Sequence, residues 1–131
     1  ASMGESFVAK AKERGLKDEK LKDDLMPFFV YLEKAGAEFG YRTASEMSRF
    51  VKICTDLADG EMTRDEVIDA AIMQKLLPKL HGSRKKLVSI LEELIKLCVN
   101  DDGPKYALSH EKLNRMLKRV QENGFTSYAE A

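Results

Sequence analysis

The chain has 131 residues, 44% apolar and 34% charged, and its 22 Lys plus Arg balance 22 Asp plus Glu to a net charge of zero. That length suits one domain with a sizeable core, and the apolar share without net charge excludes an intrinsically disordered segment. The balance excludes a wholly basic nucleic-acid binder, and no run approaches the ~20 apolar residues needed to span a bilayer.

Ala1-Ser2-Met3 reads as a cloning scar, and residues 1–17 as that scar plus a short polar helix, Glu5 to Arg14, or a linker. Residues 18–131 read as one helical domain. No signal-peptide pattern opens the chain. Cys54 and Cys98 sit among apolar neighbours at helical spacing, which points to reduced core thiols in a cytoplasmic protein.

Periodicity near 3.6 recurs along the chain, with no long strand alternation and no hairpin dipeptide between apolar runs. Leu21, Leu25, Phe28 and Leu32 predict a helix from about Asp18 to Ala35, kinked or late-starting at Pro27 and closed by Gly36. Thr43-Ala-Ser-Glu46 has the capping-box pattern and opens a helix to about Ala58. Its two apolar stripes, one of Ala44, Met47, Val51, Cys54 and Ala58 and one of Phe50, Ile53 and Leu57, predict a central position in the fold.

Thr63-Arg-Asp-Glu66 repeats the capping pattern and opens a helix to about Leu80, with Val67, Ile68, Ala71, Ile72 and Leu76 inward and Pro78 tightening its last turn. Gly82 stops it. A further helix runs from Arg84 to about Val99, burying Leu87, Ile90, Leu91, Leu94 and Cys98. Asn100 to Pro104 reads as a loop. Ser109 is the expected cap of the last helix, with Leu113, Met116, Leu117 and Val120 inward and Gly124 closing it. Phe125 and Tyr128 are expected to anchor the tail on the bundle. The fold class is therefore all-α, a compact bundle of five to six helices.

Catalytic signatures are missing. No phosphate-binding loop, dinucleotide fingerprint, HExxH or GxSxG occurs, and the only histidines, His81 and His110, lie in no cluster that suggests a metal. The chain alone does not read as an enzyme. Two places still carry chemistry. Arg42, Glu46 and Arg49 are four and seven positions apart, one ridge if the helix reaches back to Arg42, and Glu46 could orient either arginine. An arginine at a helix N-terminus adds to the positive end of the dipole and suits phosphate oxygens. The plain alternative is a solvated ion-pair ridge worth under about 1 kcal/mol. The second place is Lys79, His81, Arg84, Lys85 and Lys86, five basic or histidine residues within eight positions at a helix–helix turn. It reads as an anion, nucleic-acid or subunit contact, or as a solvated basic loop.

Three segments together resemble the C-terminal part of McrB-like AAA+ proteins, which include the GTPase subunit of methylcytosine-specific restriction systems. They are Glu38-Phe-Gly-Tyr-Arg42-Thr-Ala-Ser-Glu46, Gln74-Lys-Leu-Leu-Pro-Lys-Leu-His81-Gly-Ser-Arg84-Lys-Lys-Leu87 and Asn123-Gly-Phe-Thr-Ser-Tyr-Ala-Glu130. The resemblance implies an AAA+ lid-like bundle that follows a nucleotide-binding core. It implies that Arg42 is the sensor 2 arginine, with Arg49 a second candidate beside Glu46. It implies ATP or GTP with magnesium for the whole protein, and none bound by this part alone. The implied partners are the core, neighbouring subunits of a homo-oligomeric ring, commonly hexameric, and in restriction members a nuclease acting on DNA; no membrane is implied. Two other functions fit the residues. One is a helical nucleic-acid-binding module using Lys79, Arg84, Lys85 and Lys86 with Lys112, Arg115, Lys118 and Arg119. The other is a helical scaffold that binds another protein.

Overall fold

The computed structural model describes residues 19–36, 41–129 and 131. The expected helix from Glu5 to Arg14 lies outside them. The described residues form an all-α bundle of five helices: α1 (Glu19–Lys34), α2 (Tyr41–Ala58), α3 (Arg64–Ala71), α4 (Arg84–Leu97) and α5 (Ala107–Asn123).

α1 buries Leu21, Leu25, Phe28, Phe29 and Leu32, the stripe that its spacing dictates. It begins two turns before Pro27, so the late start does not occur. The Phe28 ring meets Tyr106 edge to face, with centroids 5.9 Å apart. Burial, with Asp24 adding to it, pushes the Tyr106 phenol far above its usual range. Arg64 at the start of α3 donates to Asp24 on α1, and Lys105 Nζ lies 3.9 Å from the same carboxylate.

α2 departs from expectation twice. It begins at Tyr41, so Thr43 is a buried residue of its first turn and not a cap. Helical backbone upstream leaves a threonine there no free amide to cap. α2 is also not central. Ala44 and Met47 are fully buried, but Val51, Cys54 and Ala58 are only half-buried, and Ile53 and Leu57 are 49% and 80% exposed. The central place belongs to α4, which packs on both α1 and α5 and buries Leu87, Ile90, Leu91 and Leu94.

α3 carries the expected capping box. The Thr63 hydroxyl accepts from the Glu66 amide at 3.1 Å, and the Thr63 amide donates to Glu66 Oε1 at 2.9 Å. That amide is the main reason why the Glu66 carboxyl titrates below its ordinary 4.5. A carboxylate with a depressed folded value stabilises above its unfolded value and stops doing so as pH falls through the folded one. The Thr63 amide proton is therefore expected to lose its hydrogen-bonded NMR shift with a midpoint below pH 4.5. A midpoint at or above that value would contradict the box.

The single helix expected from Arg64 to Leu80 is three windings. After α3 the chain widens into a π turn, Ile72–Leu76, closed by the Leu77 amide donating to Ile72 O, and then tightens into a 3-10 turn, Leu77–Lys79. Pro78 has no N–H for an α-helical bond, so the ladder must change pitch near it. The change keeps Ile72, Leu76, Leu77 and Leu80 all in the core.

Four very short strands were not expected. β1 (His81–Ser83) pairs antiparallel with β4 (Phe125–Ser127), Gly82 opposite Thr126. β2 (Val99–Asn100) pairs with β3 (Gly103–Pro104) across the predicted loop, where the Asp102 amide donates to Asn100 Oδ1 at 3.0 Å. Pairings of two or three residues are too short to leave an alternation in sequence. β4 also corrects the tail. Phe125 turns outward, 47% exposed, while Thr126 is buried and Tyr128 packs on the core beneath Lys112, whose Nζ lies 4.4 Å from its ring centroid. Period-two alternation in the strand decides which residue anchors.

The cap of α5 is also not the expected one. The amides of Leu108 and Ser109 both donate to the carboxylate of Asp69, to Oδ2 and Oδ1 at 2.8 Å each. The Ser109 hydroxyl donates instead to the Asp69 carbonyl at 3.3 Å. A side chain from α3 thus caps a helix some forty residues later. The far end matches expectation, with Gly124 in the left-handed region at φ +80.

Both cysteines are free. Burial, with a smaller contribution from Asp69, pushes the Cys98 thiol up to about 12, whereas Cys54 on α2 is half-buried. Only a thiolate attacks a disulfide reagent. One thiol per folded chain is expected to react, with Cys98 reacting only on unfolding; two equivalents reacting at once would show that the core opens there.

Candidate functional site

Because α2 begins at Tyr41, Arg42 lies in its first turn. At about 100° per residue, positions four and seven on return to within about 40° of it, so Arg42, Glu46 and Arg49 form one ridge. All three are exposed. Among the described residues no hydrogen bond or ion pair holds any of their side chains. Glu46 therefore does not orient either arginine; an exposed pair gains too little to fix two long side chains. The ridge presents two free guanidinium groups. Lys75 of the π turn lies over Phe50, the residue after Arg49, its Nζ 5.7 Å from the ring centroid. No spacing rule could place Lys75 there, because the contact is tertiary. Glu38, Phe39 and Gly40 of the first resembling segment, and Glu130 of the third, lie outside the described residues.

The basic segment is divided among several tasks. Arg84, Lys85 and Lys86 lie in the first turn of α4, which starts at Arg84 as its sequence predicts. Three cations there oppose the dipole of their own helix. Two of them reach the negative ends of neighbouring helices. Arg84 Nη2 donates to Gln121 O at 2.7 Å and Nε to Val120 O at 3.3 Å, so it satisfies the terminal carbonyls of α5. Its amide donates to Gly124 O at 2.9 Å. Lys86 lies where α1 ends: a Cβ added at Gly36 would stand 3.2 Å from Lys86 Nζ. Lys85 and His81 are exposed, and Lys79 is half-buried in the 3-10 turn.

The α5 cations are likewise divided. Lys112 is buried, and that burial, helped by Arg115, lowers its pKa. Arg115 pairs with Glu111 at 2.7 Å, and Lys118 and Arg119 are exposed. Lys112 thus faces the tail, its Nζ over the Tyr128 ring. Among the described residues, no group of three His, Cys, Asp or Glu could hold a metal ion, and no helix is long and apolar enough to cross a membrane.

Fold and site together define a small helical domain with a free arginine ridge at the start of one helix. The chain belongs to the family described as Domain of unknown function (DUF8727), whose model matches residues 4–125. No curated protein and no solved structure matches it.

Proposed function

We propose that this chain is the helical lid of a McrB-like AAA+ nucleotide hydrolase, in which Arg42 senses the phosphates of a nucleotide held by a core domain. The observation that carries this reading is the free guanidinium of Arg42 in the first turn of α2. An arginine there is unspent on the fold, and its fork matches phosphate oxygens. Arg49 on the same ridge is the second sensor. The nucleotide is ATP or GTP with magnesium, and the core supplies the metal site and the phosphate-binding loop. The chain alone hydrolyses nothing. It closes over nucleotide and passes that state to the next subunit of a homo-oligomeric, hexameric ring. The two free thiols suit a cytoplasmic setting.

The test is Arg42→Ala in the polypeptide that joins this lid to its core. Turnover is expected to fall about tenfold or more, because a charged contact to the transferring phosphoryl group is lost. Stability should change by no more than about 0.5 kcal/mol, since the exposed Arg42 side chain makes no hydrogen bond or ion pair with the described residues. Arg42→Lys should retain part of the rate, as a point charge without the fork. Wild-type turnover in Arg42→Ala would overturn the assignment.

A further inference from the structure

We draw no further inference here: the strongest candidate, the exposed apolar strip of Ile53 and Leu57 on the outer face of α2, is an unpartnered helix face, and nothing in the structure shows what covers it.

Discussion

Asp69→Ala is expected to destabilise the fold by about 3 kcal/mol, the largest effect of any single polar substitution proposed for this domain. Asp69 is 5% exposed and receives the amides of Leu108 and Ser109 at 2.8 Å each. Those amides are the positive end of α5, so the carboxylate is both cap and dipole partner. Alanine removes both acceptors and leaves the buried Ser109 amide and the part-buried Leu108 amide without partners. A lost cap costs about 1–2 kcal/mol and an unsatisfied buried donor about 1–3, and the two overlap. Asp69→Asn keeps one acceptor and no charge, so about half the loss is expected. Urea unfolding measures both, read as a shift of midpoint at unchanged slope. A loss under about 1 kcal/mol for alanine would mean that water reaches these amides. The Cys98 thiol should move only slightly in either variant, because burial and not Asp69 is the main cause of its raised value.

Gly82→Ala is expected to cost about 2–3 kcal/mol. Gly82 stands in β1 at φ +147, a conformation that side-chain-bearing residues rarely adopt. A Cβ there would lie 3.2 Å from Lys86 Cδ and 3.4 Å from Leu87 Cγ. The lysine chain can move aside, but Leu87 is fully buried in α4 and cannot. The strain falls on the β1–β4 pairing, so amide exchange at Phe125–Ser127 should quicken as the melting temperature drops. Gly60→Ala is the control. Gly60 also has positive φ, +84, but nothing lies within 4 Å of its Cβ position, and about 1 kcal/mol is expected. Equal losses at the two glycines would show that backbone conformation alone, and not contact with α4, sets the cost.

Asp69 and Gly82 sit at joints between elements, whereas Arg42 belongs to none. On the proposed lid reading, Arg42→Ala is therefore expected to lower turnover without lowering stability, whereas a substitution at a joint lowers both. Arg84 illustrates the contrast. In sequence it is as cationic as Arg42, but its guanidinium is engaged with the Val120 and Gln121 carbonyls.

The amino-acid sequence by itself determined where α1 to α5 lie, the inward stripes of α1, α3, α4 and α5, the Thr63 cap and the Gly124 terminus, though not the break of the Arg64–Leu80 segment into three windings. These depend on contacts within about four residues, where periodicity, hydroxyl caps and glycine act directly. It also placed Arg42, Glu46 and Arg49 on one ridge, since that needs only helical spacing. Tertiary structure alone decided the rest. Which apolar stripe of α2 is covered depends on what packs against it, and α4 holds the centre that the two stripes of α2 predict for α2. The cap of α5 arrives from Asp69 because a buried N-terminus must find an acceptor wherever the fold offers one. Arg84 of α4 is spent on the end of α5 because only packing brings that negative terminus within reach.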